Sequence, residues 1–185
     1  MSELSFRYAR QADTQAIVAL IELAYRNPAT AGDWSSEAHL LKGPRTSFEE
    51  ISGLIAREDT RFLLAERDGR IAGCCLLQGL HRDASGATTP GAINAAYFGM
   101  FAIDPTGHGG GLGKTVIAEA ERHVQALWRA NQMVMTVINL RTALIDWYQR
   151  RGYRLTGATI PFPFSETTGE TRRDFHLVEM RKDLA

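Results

Sequence analysis

Residues 97–129 read YFGMFAID, then PTGHGGGLGK, then TVIAEAERHVQALWR, and this stretch decides the fold. The apolar, aromatic run Tyr97–Asp104 ends in the turn pair Asp104-Pro105, which predicts a buried strand. Val116, Ile117, Ala120, Val124, Leu127 and Trp128 recur on one helical face, which predicts an amphipathic helix ending near Arg129. Between the two lie Gly107, Gly109, Gly110, Gly111 and Gly113. A helix start offers unpaired N–H groups and the positive end of the dipole, so bare backbone there suits a phosphate-bearing ligand. Lys114 adds a point charge at its edge. A loop that merely needs room to turn is the plainer explanation of the same glycines.

Working outward, Ser5–Ala9 is expected as a first strand, followed by a helix capped by Asp13 with Ile17, Leu20, Ile21 and Ala24 on its apolar face. Residues 27–45 break into a loop holding Trp34, Glu37, His39 and Arg45. Ser47 and Glu50 form a capping box ahead of Ile51, Leu54 and Ile55. Arg61–Glu66 and Ile71–Gln78 are strands joined through Asp68-Gly69, a strong hairpin signal. Beyond the central stretch come a strand at Met133–Asn139, a helix at Thr142–Arg151 stopped by Gly152, and strands at Tyr153–Thr159 and Phe175–Met180. The order βααββ–β–αβ–αββ, without repeat or linker, predicts one α/β (α+β) domain over residues 1–185 with a mixed sheet.

A chain of 185 residues is long enough to bury a real core, and 44% apolar with 23% charged content is ordinary for a globular protein. Lys and Arg total 21, as do Asp and Glu, so overall charge gives no reason to expect nucleic acid or an anionic membrane. The start MSELSFRYARQAD is too polar for a signal peptide, and no apolar run approaches a membrane span, so a cytoplasmic location is expected. Cys74 and Cys75 are adjacent in a strand and point to opposite faces, which predicts two buried thiols and no disulfide between them. Cys and His show no metal-ligand spacing.

The element order and two local patterns resemble the GNAT superfamily of acetyl-CoA-dependent acyltransferases. One pattern is Arg or Gln, two residues, Gly, one residue, then Gly or Ala. It corresponds here to His108-Gly109-Gly110-Gly111-Leu112-Gly113, with His108 replacing the Arg or Gln. The other is a Tyr followed by a helix-ending Gly and an aromatic, present as Tyr148, Gly152 and Tyr153. The resemblance implies about seven strands splayed between strands 4 and 5, flanked by about four helices. It implies acetyl-CoA as co-substrate, with its pyrophosphate on the N–H groups of Gly109 to Lys114. The pantetheine arm would pair with Met100, Phe101, Ala102 and Ile103, and either Asn139 or Arg141 would meet it further along. An N–H near Met100 or Phe101 would stabilise the oxyanion. Tyr148 would protonate the leaving thiolate as general acid; packing beside Trp147 is its plainer role.

An acceptor ammonium must lose a proton before it attacks. The run AAYFGMFAI holds no carboxylate, so Glu37 is the first candidate base, with His39 and His81 behind it. A solvated loop charge is the plainer reading of Glu37, and water could carry the proton instead. Trp34, Glu37, Arg45 and Arg141 are the candidate acceptor contacts. Arg45 suits a bidentate grip on a carboxylate and Trp34 one pocket wall, which points to a small amine that also carries a carboxylate. Arg141 reads that carboxylate or pairs with Asp146. The run Pro161–Phe164 closes the pocket or forms a rigid turn with two buried Phe. A homodimer is compatible with this reading, and no metal is called for.

Two rival readings stand beside it. HGGGLGKT nearly spells a Walker A loop, with His108 in place of the first Gly, and would use Lys114 on phosphates and Thr115 on magnesium. The loop follows the middle of the chain, however, and MVMTVIN ends without an Asp to hold the metal. A non-catalytic module that holds acyl-CoA is the other.

Overall fold

A computed structural model describes residues 4–27, 36–107, 111–164 and 173–185. The strands are β1 (Leu4–Tyr8), β2 (Thr60–Arg67), β3 (Arg70–Leu80), β4 (Ala95–Ile103), β5 (Gln132–Ile138), β6 (Arg154–Pro161) and β7 (His176–Asp183). The helices are α1 (Thr14–Arg26), α2 (Phe48–Ala56), α3 (Leu112–Trp128) and α4 (Thr142–Gln149). One sheet runs in the order β1-β2-β3-β4-β5-β7-β6. Only β4 and β5 are parallel; every other neighbouring pair is antiparallel. The mixed seven-stranded α+β architecture expected from the pattern is therefore the one observed.

Both faces of the sheet are covered, which explains why the central strands read as continuous apolar runs. On one face Val116, Ile117, Ala120 and Val124 of α3 pack with Cys75, Leu77 and Phe98. On the other, Ile17, Leu20 and Ile21 of α1 and Ile51 of α2 pack with Cys74, Phe62 and Leu64. Each large aliphatic side chain so buried contributes about 1.5–3 kcal/mol. The two cysteines fall in different cores as their alternation requires, and both are free thiols.

Local signals hold in most places. Asp68 and Gly69 take positive φ (52° and 73°), as a tight hairpin turn demands, and Ser47 Oγ accepts from the Glu50 N–H at 3.1 Å. Asp13 differs. It sits at the start of α1 without capping it, because its carboxylate is taken by Arg7 (2.8 Å to each oxygen) and by the Arg10 N–H. A bidentate pair with a guanidinium outweighs a single cap bond to a backbone N–H.

Two features open the centre of the sheet. Beyond Ala95, Ala96 and Tyr97, paired with Gln132, Met133 and Val134, β4 and β5 make no further ladder pairs. On its other side β4 carries a bulge: Cys74 faces Ala102 and Leu76 faces Gly99, so Met100 and Phe101 together oppose Cys75. Met100 takes φ +45°, a left-handed conformation that costs about 1–2 kcal/mol for a residue with a Cβ.

Candidate active site

The splay between β4 and β5 is a cavity of about 300 Å³, walled by the two strands, by the end of α1 with the loop after it, and by α4. Tyr97 spans its floor. Its hydroxyl lies 3.1 Å from Thr136 Oγ1 on β5, and its ring folds over Gly99, where a Cβ would stand 2.6 Å from Tyr97 Cε1. Gly99 is thus required by close approach.

On the α1 side, Tyr25 is buried and donates from its hydroxyl to the Phe101 carbonyl at the bulge (2.9 Å). Burial pushes its phenol up to about 12, so it remains a donor at neutral pH. The loop from Ser36 to Arg45 is sewn to this helix end. The Glu37 N–H donates to Tyr25 O, and Arg26 donates through Nε to Gly43 O and through Nη1 to Glu37 Oε2.

Glu37 itself is buried, with Arg141 Nη1 at 2.9 Å from Oε1 and Arg26 Nη1 at 2.9 Å from Oε2. Burial alone would raise its pKa, but Arg141, Arg45 and Arg26 outweigh that and hold the carboxyl below its ordinary value. This corrects two expectations. Glu37 is neither a solvated loop charge nor a suitable base, because both oxygens are committed to arginines and its proton affinity is depressed. It also gives Arg141 a partner other than Asp146. Among the other candidates for a base, His39 is exposed and His81 is bonded to Thr89 Oγ1; neither lines the cavity.

On the opposite wall α4 presents Tyr148. Gly152, at φ +89°, ends this helix in a Schellman turn: its N–H donates to Gln149 O and the Tyr153 N–H to Tyr148 O. The turn stacks Tyr153 edge-on against Tyr148, which in turn meets Trp147 edge-on. Tyr148 is therefore held rigidly, 4% exposed, with its ring on the cavity. Burial first, and Tyr25 second, raise its pKa well above the usual tyrosine value. Its hydroxyl makes no hydrogen bond to a described residue.

The third part is the start of α3. Gly111 is its N-cap at φ +69°, with nothing within 4 Å of where a Cβ would stand. Gly113 faces the strand and α4: a Cβ there would touch Phe101 Cζ (3.4 Å) and Trp147 Cζ2 (3.5 Å) at ordinary contact distance. Leu112 is buried beneath, and Lys114 is exposed at the edge. The start of α3, the bulged strand and Trp147, the neighbour of Tyr148 on α4, thus meet at Phe101. An open left-handed glycine at a helix start fits a diphosphate, and a bulge beside an unpaired strand edge fits an extended arm.

Of the remaining expected contacts, Phe162 and Pro163 line the cavity and Phe162 stacks with Phe164 and Phe175, so the PFPF run is at once wall and aromatic cluster. Asn139 does not line the cavity; its side-chain oxygen accepts from the His176 N–H at 3.0 Å, while Arg141 does line it. Trp34, His108, Gly109 and Gly110 lie outside the described residues. Tyr25, Arg26, Tyr97 and Thr136 line the cavity too and are not among the residues to which the sequence points. Tyr25-Arg26 at the polar end of an amphipathic helix was the one available signal.

Residues 15–153 match the Acetyltransferase (GNAT) family. A search among curated proteins found no match. Among solved structures the chain is similar to a candidate phosphinothricin N-acetyltransferase (15% identity, TM-score 0.69, 99% of each chain). It is also similar to a spermidine N-acetyltransferase from Vibrio cholerae in complex with CoA and spermine (17% identity, TM-score 0.68, 98% of this chain and 95% of that one). A third is a ribosomal-protein-alanine N-acetyltransferase from Brucella melitensis (18% identity, TM-score 0.65, 97% of this chain and 99% of that one). At such identities the likeness is one of fold. The near-Walker spelling of the glycine turn sits in this fold, after a strand antiparallel to β3, and not in a parallel nucleotide-binding sheet.

Proposed function

The chain belongs to the GNAT acetyltransferase family, and from that premise we propose that it moves an acetyl group from acetyl-CoA to the primary amine of a small molecule. The observation that carries this reading is the cavity at the β4–β5 splay, with Tyr148 on one wall and the bulge at Met100 and Phe101 on its edge. The N–H groups at the start of α3, from Gly111 to Lys114 and with those of Gly109 and Gly110, hold the pyrophosphate. Backbone from Met100 to Ile103 pairs with the pantetheine arm and sets the thioester in the splay, where Arg141 is the nearer of the two candidates to meet it.

A neutral amine attacks the thioester carbon; the C–N bond forms as the carbonyl π electrons move to oxygen. A backbone N–H at the bulge stabilises that oxygen, preset by the strained Met100 and the Tyr25–Phe101 bond. The C–S bond then breaks, and Tyr148 gives its proton to the departing thiolate. The amine's own proton leaves to water, since the carboxylate facing the cavity is committed to Arg26 and Arg141. A raised Tyr148 pKa keeps the acid protonated over the whole working range. Free-thiol release from acetyl-CoA across a panel of amines tests the reading; no release with any amine would contradict it.

A further inference from the structure

We propose that the cavity selects an acceptor bearing an anionic group, a carboxylate or a phosphonate, beside its amine, and that the Arg45 guanidinium grips that anion. The proposal rests on the acetyl-transfer reading above and names its substrate class. The charged residues described on the cavity wall are Arg26, Arg45, Arg141 and Glu37: three cations against one anion. Glu37 is spent, one oxygen on Arg26 and one on Arg141. Arg45 is left over. Among the described residues no carboxylate pairs with its guanidinium, whose contact is the face of Tyr25, 5.2 Å from the ring centroid.

Its backbone is fixed, because the N–H groups of Arg45 and Thr46 both donate to Glu22 Oε1. The one Glu37 charge is shared among three guanidinium groups, so the cavity wall stays net cationic at the half-buried Arg45 and favours an anion that restores the balance. Its planar fork fits a carboxylate or phosphonate through two parallel bonds.

The placement sets the acceptor's length. Tyr25 lies under Arg45 at its ring and reaches the bulge carbonyl of Phe101 with its hydroxyl. The Arg45 guanidinium and the bulge are therefore neighbours across one phenol group, which suits a small acceptor. The same surplus of positive charge disfavours a polycationic amine.

The test is thiol release by the full chain with matched acceptors: an amino acid, its phosphonate analogue, its carboxamide and the corresponding diamine. The anionic members should exceed the carboxamide in kcat/KM by roughly ten- to hundred-fold, with the diamine last. Whichever of carboxylate and phosphonate leads identifies the anion. Arg45→Gln should bring the anion-to-carboxamide ratio towards one by raising the anionic acceptor's KM, and Arg45→Lys should restore part of it. A carboxamide or diamine consumed as well as the acid, a ratio that survives Arg45→Gln, or acetyl-CoA bound with no anionic amine consumed would each overturn the proposal. The first two leave acetyl transfer standing. No binding of acetyl-CoA and no thiol release with any amine would instead remove the reading on which it rests.

Discussion

Arg141 and Glu37, 104 residues apart in the chain, meet at 2.9 Å inside the cavity. The contact ties the start of α4 to the loop after α1, so one ion pair joins the wall carrying Tyr148 to the wall carrying Tyr25. Arg26 holds the other oxygen of the same carboxylate. Glu37→Gln would leave two buried guanidinium groups under-compensated, at a cost of about 3–5 kcal/mol. For a chain of this size the melting temperature should fall by roughly 6–20 °C in a thermal melt. An unchanged melting temperature would show that the pair holds nothing together.

The same pair sets an acid limit. The folded-state pKa of Glu37 lies below its ordinary value of 4.5, so the unfolded chain binds the proton more readily. Its stabilisation is complete above 4.5 and is lost as pH falls through the folded value. The stability gap between wild type and Glu37→Gln should thus be constant near neutrality and shrink below pH 4.5, as measured by urea unfolding. A gap that widens on acidification would reverse the sign and contradict the assignment.

Tyr148→Phe removes the proposed acid and little else, since the ring keeps its edge-on contacts with Trp147 and Tyr153. Turnover should drop by about ten-fold or more while acetyl-CoA affinity is retained. Because burial raises the Tyr148 pKa, the wild-type kcat profile should show no decline from this group up to about pH 10. Undiminished turnover in the variant would remove Tyr148 from the chemistry.

Gly99→Ala places a Cβ where the Tyr97 ring now lies. The ring must move, and the Tyr97–Thr136 contact across the splay goes with it. A loss of roughly ten- to hundred-fold in kcat/KM is expected from the displaced floor. Steady-state kinetics with the best acceptor measures it, and a variant as active as wild type would show that the floor is not part of the site.

These residues show why the fold was more legible than the site. Periodicity and turn chemistry act within a few residues, so β4, α3, the Asp68-Gly69 hairpin and the Gly152 stop could all be read directly. The Gly152 stop even explains how Tyr148 is held, since a Schellman turn is a local device. Glu37 could not be assigned a role in that way. Its role depends on Arg26 and Arg141, brought to it by α1 and α4, and nothing in NPATAGDWSSEAHLLKGPR announces either partner. Asp13 and Asn139 mislead for the same reason: each has a plausible local use, and each is claimed by a distant group, Arg7 and the His176 N–H. Tyr97 stood in the decisive stretch yet counted there only as an apolar residue. Its hydroxyl gains meaning only where β4 parts from β5.

The account depends most on the start of α3 as the seat of the coenzyme diphosphate, and titration calorimetry with acetyl-CoA tests that directly. Wild type should give a saturable heat with a dissociation constant in the range of roughly 1 μM–1 mM. In Gly111→Glu, where a carboxylate stands at the left-handed N-cap in open space, the heat should vanish while the chain remains folded. Absence of heat in wild type, or equal affinity in Gly111→Glu, would contradict it.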